Sequence, residues 1–182
     1  MAQYKPFANG VEVNGQTILT FVDAIPAFKD VMFGILAKHG LYTIEADGWY
    51  SQESWLNAFK EIGEKYGENT LYAIGKQIPE NAKFPPEIDD LEKAFSAIDI
   101  AYQMNHQNGE IGYYKLVDFD GIYRRAVIEC KNPYPSHFDR GIITTMTRKF
   151  RPIESIVINV ILDENKPSRL NGAESCTYKV EW

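Results

Sequence analysis

No apolar run in this sequence approaches the roughly 20 residues that cross a bilayer as a helix. Met1 to Asn14 also lacks the basic region and apolar stretch of an export signal. Together these absences predict a cytoplasmic protein with no membrane insertion. Positive charge is short as well: 19 lysines and arginines stand against 25 acidic residues, a net charge of -6. Such a field repels phosphate backbones and anionic surfaces, so nucleic acid is not an expected partner. The chain has two cysteines, Cys130 and Cys176, and three histidines, His39, His106 and His137. No two of these have the short spacing of a zinc site, and no metal is expected. Without an export signal the cysteines are expected as buried thiols, not a disulfide. Cys130 shares strand parity with Ala126 and Ile128, and the nearest base in sequence, His137, lies beyond two prolines. A core thiol is therefore expected in place of a nucleophile.

The chain does have apolar and aromatic mass. Its 182 residues are 45% hydrophobic and 13% aromatic, enough to bury a substantial core. We expect one domain spanning residues 1–182, mainly helical over 1–110 and α/β over 111–182.

Along the chain, Val11 to Val13 reads as a short strand running into an Asn14-Gly15 turn. A helix is predicted from Pro26 to His39, with Phe28, Val31, Met32, Ile35 and Leu36 at helical spacing and Gly40 as its terminator. Ser51 is placed to cap a helix bearing Trp55, Phe59, Ile62 and Tyr66 and ended by Gly67. A shorter helix carries Leu71, Ile74 and Ile78 and is expected to stop at Pro79. The longest, Glu87 to Gln107, has Ile88, Leu91, Phe95, Ile98 and Tyr102 on one stripe. Ala94, Ala97 and Ala101 beside it suggest burial on more than one side. His39 and His106 near helix C-termini suit the helix dipole without any ligand.

After residue 110 the hydrophobic period changes from 3.6 to 2. Gly112–Phe119 and Ile122–Cys130 form an expected hairpin about Asp120-Gly121. Phe138, Ile142, Met146 and Phe150 mark a helix stopped by Pro152. Ile156 to Asp163 reads as a sheet-interior strand, and Cys176, Tyr178, Val180 and Trp182 alternate as the buried face of a final strand. The expected fold is α+β: an N-terminal helical layer on a mainly antiparallel four-stranded sheet, with one helix inserted between the strand pairs.

One junction concentrates chemistry. In Asn132 to Gly141, Pro133 and Pro135 keep the chain extended and Ser136 is placed to cap a helix starting at His137. Free N–H groups there, beside His137 and Arg140, would suit an anionic or polar ligand group. A well-capped connection is the plainer reading of the same residues.

The element order, together with Ile111-Gly112-Tyr113-Tyr114, Asn132 to Gly141 and Cys176 to Trp182, resembles one ligand-binding superfamily. It is shared by nitric-oxide-sensing haem domains, 4-vinyl-reductase-type domains and TRAPP transport-particle subunits. The resemblance covers mainly residues 87–182. It implies an α/β protein that encloses a hydrophobic small molecule, acts as a sensor or adaptor and associates with copies of itself or a signalling partner. The Tyr-x-Ser-x-Arg motif that holds haem propionates is absent, and the cysteine-rich ending of many 4-vinyl-reductase-type domains is reduced to Cys176. Haem thus stays open among the three histidines but is not favoured.

The expectation is a non-enzymatic binding domain whose apolar or aromatic ligand rests among Trp49, Trp55 and Tyr114, with its polar end at His137 and Arg140. Two alternatives stand beside it. One is an enzyme on a similar molecule, with His137 as acid, Arg140 as anchor and Tyr114 as donor. The other is a ligand-free dimerisation adaptor.

Overall fold

The computed structural model describes residues 3–182. Its first part runs β1 (Glu12–Asn14), α1 (Gly15–Asp23), a 3-10 turn (Pro26–Phe28), α2 (Lys29–Lys38), β2 (Trp49–Ser51), α3 (Gln52–Tyr66), α4 (Glu68–Asn81), α5 (Leu91–Met104) and β3 (His106–Gln107). Its second part is β4 (Tyr113–Asp120), β5 (Arg125–Lys131), α6 (Ser136–Phe150), β6 (Asn159–Leu162) and β7 (Ser175–Glu181). The fold is α+β. The main sheet has the order β4-β5-β7-β6, every neighbouring pair is antiparallel, and α6 lies between β5 and β6 in the chain. Among the described residues no helix is long and apolar enough to cross a membrane.

Local chemistry explains where the elements begin. Ser51 accepts a hydrogen bond from Ser54 N–H and starts α3, and Asp90 accepts from Lys93 N–H at 2.8 Å and starts α5. The Asp90 cap moves the beginning of α5 from the expected Glu87 to Leu91. On β7, Cys176, Tyr178, Val180 and Trp182 are all buried, and Trp182 stacks on Phe119 with ring centroids 5.3 Å apart. Helices α4 and α6 meet at Gly75 and Gly141. A Cβ at Gly141 would lie 2.4 Å from the Tyr72 carbonyl oxygen, and one at Gly75 would lie 2.2 Å from that of Phe138. Only glycine permits so close an approach.

Several expectations are corrected. Asn14-Gly15 starts a helix instead of a turn: Asn14 caps α1 through Gln16 N–H at 2.9 Å, and Ile18, Phe21 and Val22 bury its inner face. β1 joins β2 and β3 in a small three-stranded sheet. α4 runs through Pro79 to Asn81, and Lys149 Nζ donates to the Pro79 carbonyl at 3.0 Å. α5 is buried along one stripe, Leu91, Ala94, Phe95, Ile98 and Tyr102, and not on more than one side: Ala101, Ile100 and Met104 are exposed. The hairpin turn occupies residues 121–124, where Asp120 accepts from the Ile122 and Tyr123 N–H groups and Arg124 takes a left-handed φ of 52°. Residues 156–163 contribute only β6, an edge strand, with Ile156 92% exposed. Its continuous apolar pattern describes an uncovered edge, not a sheet interior.

Candidate functional site

A cavity of about 130 Å³ lies against α5. The inner face of α5 supplies Ala97, Ile98, Ala101 and Tyr102, and α6 supplies Phe138, Ile142 and Met146. Phe21 from α1, Trp55 from α3, Ile78 from α4 and Phe84 complete the apolar lining. The rings hold one another edge-on: Phe21 meets Trp55 at 4.5 Å, and Phe59 meets Phe138 at 5.1 Å. No aspartate, glutamate, lysine or arginine is among the lining residues.

The polar tips on this wall are mostly committed. His106 is buried, with Nδ1 2.8 Å from the Tyr102 carbonyl oxygen and Nε2 2.7 Å from the Tyr134 hydroxyl. A carbonyl only accepts, so Nδ1 carries the proton and Nε2 accepts from Tyr134. Burial pushes the His106 pKa down from 6.5 to about 4 and holds the ring neutral. Tyr102 donates its hydroxyl proton to the Ile111 carbonyl. Trp55 Nε1–H and the buried Gln52 amide are both directed at the Tyr134 hydroxyl oxygen, which keeps lone pairs to accept after its proton goes to His106, although neither reaches full hydrogen-bond geometry.

Beneath the cavity floor lies a buried polar network. The Tyr114 hydroxyl donates to Asp139 Oδ1 at 2.6 Å, Asn132 donates to the same carboxylate, and Arg169 pairs with Asp139 Oδ2. Arg169 also donates to the Asn132 carbonyl at 2.7 Å and to Cys176 Sγ at 3.4 Å. Burial pushes the Asp139 carboxyl up, and the Arg169 charge pulls it back. Burial alone would lower Arg169, yet Asp139 and the surrounding groups hold it well above the ordinary guanidinium value. Burial, followed by Asp139, raises Tyr114, which stays a protonated donor.

The five residues singled out from sequence separate into two groups. Trp55 and Tyr114 line the cavity, whereas Trp49, His137 and Arg140 lie away from it. Trp49 is on β2 and 37% exposed. His137 Nε2 lies 3.0 Å from Glu68 on α4, and the Arg140 guanidinium stacks on the Tyr72 ring at 4.6 Å. Helical spacing is the reason. Residues 138, 142 and 146 form the stripe of α6 that faces the cavity, so 137, 140 and 144 turn toward α4. The start of α6 also differs from the expected cap. Pro135 is the N-cap residue, and Ser136 is the first helical residue and makes no capping bond. Three of the nearby N–H groups are engaged, that of Ser136 with Gln3 and those of Phe138 and Asp139 with the Pro135 carbonyl.

Sequence reasoning passed over Phe21, Gln52 and Arg169. Phe21 had a signal, the spacing of Ile18, Phe21 and Val22. Arg169 had none, being one cation in the polar, glycine- and proline-containing run Lys166 to Gly172.

No family model matches this chain, and no curated protein does. Solved structures do. The unliganded Fe(II) H-NOX protein from K. algicida superposes with a TM-score of 0.66 at 12% identity, covering 92% of this chain and 95% of that one. The S. oneidensis H-NOX protein in its Fe(II)NO state gives 0.64 at 11%, covering 92% and 98%. An oxygen-binding H-NOX domain related to soluble guanylate cyclases gives 0.64 at 14%, covering 92% and 94%. At such low identity the likeness speaks for architecture alone: this chain has the H-NOX fold.

Proposed function

We propose that this chain is a haem-free sensor or adaptor domain that encloses a compact apolar or aromatic molecule in the cavity against α5. The observation that carries this reading is the cavity itself, about 130 Å³ with an uncharged aromatic and aliphatic wall. An engineered apolar cavity of about 150 Å³ takes up benzene, whereas drug-sized ligands occupy about 300–1,000 Å³. The ligand is therefore one small ring or a chain of similar bulk.

Haem is the group that the solved structures of this fold bring to mind, and the residues here do not fit it. The volume suits one ring, not the four linked pyrroles of a porphyrin. The one imidazole on the wall, His106, has both nitrogens engaged and is locked between Tyr102 and Tyr134. No arginine or lysine lines the cavity to meet propionates.

Two measurements test the reading. Adding haem to purified protein should give no stoichiometric Soret band, and benzene should raise the melting temperature in a saturable way, since a ligand that binds only the native state stabilises it. A one-to-one Soret complex, or complete indifference to benzene-sized molecules, would overturn it.

A further inference from the structure

The residues around the cavity differ in exposure, and the difference locates its mouth. The lining residues of α3 and α6 are buried, whereas Thr17, Ala97 and Asn105 are half-buried and Ala101 is exposed. Helical spacing brings these four together. Thr17 lies one turn before Phe21 on α1, and Ala97, Ala101 and Asn105 follow at four-residue intervals along α5 and its C-terminal cap, so each set forms one stripe. The Asn14 N–H donates to the Asn105 carbonyl at 2.9 Å and ties the start of α1 to the end of α5. Thr17 and Ala101 stand about one turn in from that tie, one on each helix. The alanine side chains are too short to close the gap, and the cavity opens between α1 and α5.

Deeper in the cavity the polar tips are committed. His106 is held between the Tyr102 carbonyl and the Tyr134 hydroxyl, the Tyr102 hydroxyl donates to Ile111, and the Tyr114 hydroxyl donates to Asp139. At the mouth they are not. Asn105 Nδ2 donates to the Ala101 carbonyl at 2.7 Å, which leaves Asn105 Oδ1 as an acceptor, and the Thr17 hydroxyl can both donate and accept. No charged side chain lines the cavity, so a carboxylate or an ammonium group finds no counter-ion there. We propose that the cavity selects small uncharged aromatic alcohols, phenol being the simplest, with the ring among the buried side chains and the hydroxyl at the mouth. The ligand O–H donates to Asn105 Oδ1, and its oxygen accepts from Thr17. This rests on the binding role proposed above and names the ligand class for it.

Phenol and toluene have nearly the same shape and differ by a hydroxyl against a methyl group, as threonine and valine do. Calorimetric titration of both into wild type and Thr17→Val at neutral pH, where phenol is uncharged, isolates the contact at the mouth. One neutral hydrogen bond corresponds to roughly a two- to tenfold change in affinity. The phenol-to-toluene affinity ratio should fall by that factor in Thr17→Val. In wild-type protein, nuclear Overhauser contacts should join the phenol protons beside the hydroxyl to the Thr17 methyl group. The proton opposite the hydroxyl should contact the methyl group of Met146, on the buried α6 wall. These contacts decide the matter alone if Thr17→Val does not fold. An unchanged ratio, or phenol seated with its hydroxyl toward Met146, would overturn this inference and leave the binding role standing. Failure of phenol and toluene alike to bind would overturn the binding role itself.

Discussion

Lowering the pH tests the polar side of the cavity wall most directly, because His106 is held there as a neutral ring. Its Nδ1–H donates to the Tyr102 carbonyl and its Nε2 accepts from Tyr134. A second proton would turn Nε2 into a donor facing a donor and leave a charge among the Tyr102 and Tyr134 rings, whose centroids lie 4.5 Å and 5.7 Å away. Burial accordingly lowers the pKa from 6.5 to about 4. Between these values the unfolded chain binds a proton that the folded chain refuses, so stability falls as pH falls through that window. With one pKa unit equivalent to about 1.4 kcal/mol, the His106 contribution to the loss is about 2 kcal/mol at about pH 5 and about 3 kcal/mol near pH 4. Urea denaturation of wild type and His106→Gln at neutral pH and at about pH 5 isolates this contribution. Glutamine can donate to one neighbour and accept from the other, and it does not titrate. The other carboxylates and histidines titrate in both proteins and cancel in the difference. Wild type should lose about 2 kcal/mol more than the variant across that interval. Equal losses would refute the assignment of a buried neutral His106.

Arg169→Met leaves Asp139 buried without its cation and should cost about 3–5 kcal/mol in chemical denaturation; adding Asp139→Asn should recover part of that, and additivity of the two would deny the pair. Gly141→Ala places a methyl group 2.4 Å from the Tyr72 oxygen and 2.8 Å from the Lys76 nitrogen. It should lower stability by about 1–3 kcal/mol, and an unchanged denaturation midpoint would rule out the close approach of α4 and α6.

The parts of the fold legible in the sequence are those where one periodicity has one interpretation. The alternation of Cys176, Tyr178, Val180 and Trp182 leaves a single apolar face, and β7 buries it. The stripe of Phe138, Ile142 and Met146 likewise fixes the inner face of α6, and that face reaches the cavity. The same stripe implies that His137 and Arg140 lie on another side of α6, a matter of helical phase on which the chemistry of the junction residues is silent. The run Ile156 to Asp163 was ambiguous in kind, because apolar continuity describes a central strand and an uncovered edge equally well. Long-range polar pairing was not legible at all. Asp139 and Arg169 stand thirty residues apart, and nothing local to either signals that one charge neutralises the other at zero exposure.

Stability and binding can be separated at Ala97, which lies on the inner face of α5 and lines the cavity. Alanine and leucine have similar helix propensity, so Ala97→Leu changes mainly what fills the adjacent space. Leucine adds three carbons, and burying them contributes roughly 0.8 kcal/mol each, from which fixing the longer side chain subtracts about 0.5–1 kcal/mol. Against a volume of about 130 Å³ the added bulk can be accommodated without forcing α5 off the sheet. The variant should thus be about 1 kcal/mol more stable in urea denaturation and should lose the thermal response to benzene, because the side chain occupies the place of the ring. A ligand that merely props up a loose core would be replaced by this substitution in the same way that a methyl group fills a void. If Ala97→Leu is instead destabilised by the 1–3 kcal/mol typical of overpacking, the space against α5 is smaller than its walls indicate. If it is stabilised and still responds to benzene, the small molecule binds elsewhere on the chain.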